Sequence, residues 1–222
     1  MPVNESSEPS RYGMLWERHE LILAFDLYCR IPFKKTKRNN PAVIELAGIL
    51  NRSPSSVARK LGNFGAFDPE LKRQNISGLG HGSNLDRVIW DEFHANWNGL
   101  VLEAAEIRSG LEGEHHEVNE PIAESEIIRP TGASEIRRMT TQRRHQSFFR
   151  EAVLSSYGNK CCVTGLPVTE CLVASHIVPW SKSEASRTDP ANGLCLHSMA
   201  DRLFDTGLMT LTSDLKVQVC SD

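Results

Sequence analysis

His176, in the run Ala174-Ser175-His176-Ile177-Val178-Pro179-Trp180, is well suited to move a proton. An imidazole with an unperturbed pKa of about 6.5 both accepts and releases a proton at neutral pH. Asn192 follows sixteen positions later, in Pro190-Ala191-Asn192-Gly193-Leu194-Cys195-Leu196, and Asp201 and Asp205 lie nine and thirteen positions beyond it. On a helix these aspartates are i, i+4, so both carboxylates face one point, and their oxygens suit a hard divalent cation. Ala200, just before Asp201, offers neither a ligand atom nor a titratable group.

Short elements must bring these residues together. Leu172-Val173-Ala174 reads as a strand entering Ser175-His176, Gly193-Leu194-Cys195-Leu196 as the returning strand, and Ser198 to Phe204 as a helix. Cys161 to Pro167 reads as a strand and turn. Ahead of them Arg143 to Tyr157 forms a helix with Phe148, Phe149, Val153 and Leu154 on its buried face and Gly158 as its stop signal.

Taken in order, Ser-His-Ile-Val-Pro-Trp, Asn-Gly-Leu and Phe-Asp-Thr-Gly resemble the HNH endonuclease family over about residues 143–220. That resemblance implies a ββα-metal domain and metal-dependent cutting of double-stranded DNA. It makes His176 the general base toward water and Asn192 the brace of the loop that carries it. Asp201, Asp205 and His176 become the metal ligands, with Mg²⁺ the expected cation and Mn²⁺ the alternative. Ser175 stands where other branches of the family have a ligand, and Ala200 where this branch usually has histidine. The copy therefore reads as inactivated at Ala200, by a natural or an introduced replacement.

The rest of the chain reads as a second, mainly helical domain. Apolar residues recur from Leu15 to Tyr28, and Asn40-Pro41 and Ser53-Pro54 each pair an N-cap with proline at the first helical position. Two short helices joined by a tight turn resemble a helix-turn-helix, with Val57 packed inward and Arg52, Ser55, Ser56, Arg59 and Lys60 facing a major groove. A plain helical hairpin explains the same periodicity. Asp68-Pro69 starts another short helix, Gly78 to Gly82 is a loop, and Val88, Ile89, Trp90, Phe93 and Trp97 form an apolar stripe.

These pieces give an α+β chain with a tail at 1–14, a helical DNA-binding domain at 15–109, an acidic linker at 110–134 and the HNH domain at 135–222. Net charge is −3 over 222 residues, but its distribution is uneven. One basic block spans Arg30 to Lys60, a second holds Arg137, Arg138, Arg143, Arg144 and Arg150, and glutamates fill the stretch between. Two polyanion-binding surfaces suit that pattern, and solvated helix faces explain it equally. Arg187 reads as a phosphate clamp or as a partner of Asp189.

No apolar window spans a bilayer, and residues 1–8 lack a signal peptide, so a cytoplasmic protein is expected. Six cysteines without a C-x-x-C pair read as reduced, mostly buried thiols. No small-molecule cofactor is indicated. One HNH centre cuts one strand per engagement, which makes a homodimer or sequential nicks the routes to a double-strand break. The competing reading is a non-catalytic DNA-binding or regulatory protein with a decayed HNH module.

Overall fold

The computed structural model describes residues 11, 13–112 and 133–220. Its contacts divide the chain into two compact units, Met1–Tyr28 with Phe33–Pro130, and Cys29–Pro32 with Thr131–Asp222. Helices and two small antiparallel sheets make up the described residues.

The first unit is helical: α1 Arg18–Arg30, α2 Pro41–Ile49, α3 Pro54–Gly65, α4 Pro69–Arg73, α5 Asn84–His94 and α6 Trp97–Glu112. Capping signals set most of the starts. Asn40 caps α2 through Ala42 N–H, Ser53 caps α3 through Ser56 N–H, and Asp68 caps α4, each with proline next in sequence. Ser83 and Asp86 form a reciprocal capping box on α5. The turn between α2 and α3 is made by Asn51, whose φ of 50° lies in the left-handed region that asparagine tolerates. Phe25 anchors the core between Phe64 and Trp90, with ring centroids 5.1 and 5.4 Å away.

Several expectations change here. The first helix starts at Arg18 rather than near Leu15, and Leu15 is 91% exposed. Val88 leaves the apolar stripe of α5 for solvent. Helix α6 runs on to Glu112 and α7 begins at Ala133, so both ends of the proposed linker are helical, while 113–132 lies outside the described residues.

The largest difference concerns the charges expected on and just before α3. Arg52 is buried, and its guanidinium makes a two-pronged pair with Glu20 at 2.7 Å on each side. Its remaining N–H groups donate to the carbonyls of Met14 and Leu15, and Trp16 covers its face at 4.4 Å. Burial alone would raise the Glu20 carboxyl, but the bonds from Arg52 and Glu17 N–H outweigh it and hold the group below the usual range. Lys60 likewise turns to the buried Asp86, with Nζ 2.6 and 2.9 Å from its oxygens. Ser55 and Arg59 remain exposed and Ser56 is half-buried.

The second unit contains α7 Ala133–Ser156, β1 Leu172–His176, β2 Gly193–His197, α8 Ser198–Asp205, β3 Met209–Leu211 and β4 Val217–Val219. Strands β1 and β2 pair antiparallel, with Ser175 opposite Leu194 and His176 opposite Gly193. Helices α7 and α8 both pack on this hairpin. Their core joins Phe149, Val153 and Leu154 of α7 to Leu172, Leu194, Cys195, Leu196, Ala200 and Met209. Gly193 is needed for the close approach of α7: a Cβ there would lie 2.2 Å from Val153 Cγ2 and 2.9 Å from Phe149 Cζ.

Residues 161–167 form a turn and not a strand. Cys161 N–H bonds Leu166 O, Gly165 N–H bonds Cys161 O, and Cys162 N–H ties the turn to Cys195 O. Of the six cysteines only Cys161 and Cys195 are buried, while Cys162, Cys171 and Cys220 are exposed. Helix α7 also starts ten residues before the expected Arg143, because helix-forming polar residues extend it beyond its buried face.

Candidate active site

His176 ends β1, and its ring is fixed on two sides. One face lies flat on Phe149, with centroids 3.7 Å apart and planes 8° from parallel. Nε2 is 3.0 Å from the carbonyl oxygen of Arg187. A carbonyl only accepts, so in the neutral imidazole Nε2 carries the proton and Nδ1 keeps the lone pair. Among the described residues Nδ1 has no hydrogen-bond partner. Trp180 meets the same ring edge-on at 5.7 Å.

The Arg187 carbonyl is held in place by the loop that follows β1. Asn192 closes that loop: its Oδ1 accepts from Val178 N–H at 2.7 Å, and its Nδ2 donates to Val178 O at 3.0 Å and Ser186 O at 3.1 Å. Ile177 N–H adds a bond to Asn192 O. Arg187 donates Nε–H to Trp180 O at 3.0 Å and lies over the Trp180 ring. Its acidic neighbour is Glu184, at 3.9 Å, and not Asp189, which caps the short turn at 190–192 through Ala191 N–H.

The acidic residues lie on α8. Side chains alternate along a strand, so Ser175 and His176 leave opposite faces: His176 meets Phe149 of α7, and Ser175 meets Asp201 of α8. Burial pushes the Asp201 carboxyl up, the Ser175 hydroxyl beside it pulls the other way, and the charge of Asp205 adds to the rise. The Ser175 Oγ is buried without a well-formed hydrogen bond. Neither aspartate makes an ion pair with a described residue.

Asp201 and Asp205 thus share one neighbourhood, as their i, i+4 spacing requires. Among the described residues no group of three or more His, Cys, Asp or Glu is placed to hold a metal ion. Two uncompensated carboxylates beside an unsatisfied hydroxyl do fit Mg²⁺, which keeps several waters and takes one or two protein carboxylates. They do not fit a cation that needs a cage of nitrogen and sulfur ligands. Asp201 and Asp205, with Ser175 beside Asp201, are residues here that could hold such a cation.

Ala200, next to Asp201 in sequence, is buried. It is 3% exposed, belongs to the core of the unit, and donates its N–H to His197 Nδ1 as part of the α8 N-cap. Residues 161–212 match the family model described as HNH endonuclease. This segment is similar to the HNH endonuclease family. No curated protein and no solved structure matches the chain.

Around this segment the structure gives three residues roles that the sequence did not assign to them. Phe149 supplies the platform for the imidazole, and Arg150 donates to Leu172 O at 2.7 Å, fixing α7 to β1. His145, one turn before Phe149, has a buried Nε2 without a partner and feels the charges of Arg187 and Glu184. The i, i+4 relation of His145 to Phe149 was the available signal. Arg143 is exposed and Arg144 half-buried on the same helix.

Proposed function

We propose that this protein is a DNA endonuclease of restriction-like or defence type, acting in the cytoplasm, in which the HNH module hydrolyses phosphodiester bonds. The observation that carries the reading is the state of His176: Nε2–H is committed to the Arg187 carbonyl, and Nδ1 keeps an unengaged lone pair. That nitrogen takes a proton from a water molecule while the ring stays fixed between Phe149 and Arg187. Asn192 keeps the carbonyl in register by tying Val178 to Ser186.

Asp201 and Asp205, with Ser175 beside them, would hold Mg²⁺, or Mn²⁺ in its place. When bound, the cation neutralises charge that builds on the phosphate and on the departing oxygen. Arg143, Arg144 and Arg59 are suited to backbone contacts. Arg187 presents its guanidinium over Trp180 and can still reach a phosphate. A homodimer or two successive nicks would complete a double-strand break.

The buried methyl of Ala200 favours a second reading, a DNA-binding protein that has lost the cutting step. Incubation of the full chain with supercoiled plasmid and Mg²⁺ separates them. The endonuclease reading expects nicked product that requires the metal and disappears in His176→Ala. Intact plasmid under Mg²⁺ and Mn²⁺, with DNA still bound, selects the binder.

A further inference from the structure

Lys34, Lys35, Lys37 and Arg38 place four cations in five residues, and no acidic residue occurs between Asp26 and Glu45. All four are exposed, and none is ion-paired to a described residue. Around α3 the reverse holds, since Arg52, in the turn before it, and Lys60 are spent on Glu20 and Asp86 inside the unit.

The loop is also built to hold its shape. Thr36 is buried and donates both N–H and Oγ–H to Phe33 O, at 3.1 and 2.8 Å. Asn40 donates Nδ2–H to Lys35 O and N–H to Lys37 O, each at 2.9 Å, while its Oδ1 caps α2. Phe33 seats the loop against Gly65, where a Cβ would come within 2.3 Å of Phe33 Cε2. The backbone therefore presents its cations with little ordering left to do on binding.

We propose that the 34–38 loop, and not the exposed edge of α3, is the surface by which the N-terminal unit grips the phosphate backbone of duplex DNA. The inference rests on DNA being the substrate. Phosphates recur every ~3.4 Å along each strand, and flexible lysines neutralise them without reading base edges. Phe33 is packed against Gly65, which leaves no aromatic ring in the loop for stacking on bases. The contact is sequence-independent, so this surface supplies affinity and not site choice.

The test measures binding of the full chain to a labelled random-sequence duplex by fluorescence anisotropy between roughly 50 and 200 mM salt. A combined Lys34→Gln, Lys35→Gln, Lys37→Gln, Arg38→Gln variant is compared with Arg59→Gln. The log–log salt slope should fall by about 3–4 in the loop variant and by at most about 1 in Arg59→Gln. Affinity at low salt should weaken about tenfold or more in the loop variant, with an unchanged melting temperature. An unchanged slope in the loop variant, beside a wild type that binds, overturns the inference and leaves the endonuclease reading intact. A wild type without salt-dependent duplex binding removes the DNA reading itself. Displacement of the DNA by an RNA duplex of equal charge at lower concentration also overturns the proposal.

Discussion

The Phe149 ring lies 3.7 Å from the His176 ring and within 8° of parallel, so the helix before the hairpin sets the angle of the imidazole. Replacing Phe149 by leucine keeps an apolar side chain but removes the flat support. We expect Phe149→Leu to lower cleavage about tenfold or more through misorientation of the base. Phe149→Tyr should retain most of the rate. Proton NMR of the His176 ring gives the independent readout: the upfield ring-current shift should vanish in Phe149→Leu and persist in Phe149→Tyr. Equal shifts in both variants would remove the positioning role.

Asn192 offers a second test of the loop. Its side chain makes three hydrogen bonds while only 8% exposed. Asn192→Ala leaves Val178 and Ser186 backbone groups without partners and should cost about 2–4 kcal/mol of stability. Asn192→Asp keeps the acceptor for Val178 N–H but turns both donations into repulsions, so it should be no better. Chemical denaturation of the three proteins decides the point, and a loss under about 0.5 kcal/mol in Asn192→Ala would show that the loop holds without it.

The acidic pair predicts a trade between stability and cation binding. Burial and the neighbouring Asp205 charge raise the Asp201 carboxyl, which means that its ionised form is a burden to the metal-free fold. Asp201→Asn removes that burden and should raise the melting temperature without metal. Millimolar Mg²⁺ should stabilise the wild type and leave Asp201→Asn unmoved. A wild type indifferent to Mg²⁺ and Mn²⁺ would dismiss these carboxylates as a cation seat. Because Ala200 lies in the core, Ala200→His adds an overpacking cost of about 1–3 kcal/mol and is a poor probe of the same question.

The ββα order was legible because each piece has a local cause. Asp201 and Asp205 share a neighbourhood since four residues make one helical turn, and Asn192 reaches the loop after His176 because β1 and β2 are antiparallel. What the sequence hid was which way the charges point. Arg52 has the same basic surroundings as Arg59, yet its partner Glu20 is thirty-two residues away on α1. Likewise Lys60 finds Asp86 across twenty-six residues. Strand alternation sends His176 toward Phe149 and Ser175 toward Asp201.

Arg52 and Arg59 accordingly make a matched pair of substitutions. Arg52→Ala strands the fully buried Glu20 carboxylate and should cost about 3–5 kcal/mol, the range for removing one partner of a buried pair. Arg59→Ala changes an exposed side chain and should stay within about 0.5 kcal/mol. Urea denaturation at neutral pH reads both. A mild Arg52→Ala would mean that water reaches Glu20.

His145 is expected to make the stability of the second unit depend on pH. Burial lowers its pKa, the positive charge of Arg187 lowers it further, and Glu184 opposes them. The unfolded chain therefore takes up this proton before the folded one does. Stability is unaffected well above the unfolded value of about 6.5 and falls as the pH drops below it, until the lower folded value is passed. Glu20, held below the ordinary carboxylate range, acts only at more acid pH. His145→Phe removes the titrating group and the unsatisfied Nε2 together. Melting temperatures at pH 7.5 and 5.5 should therefore drop for the wild type and converge for the variant. An equal drop in both would assign the acid sensitivity to another group.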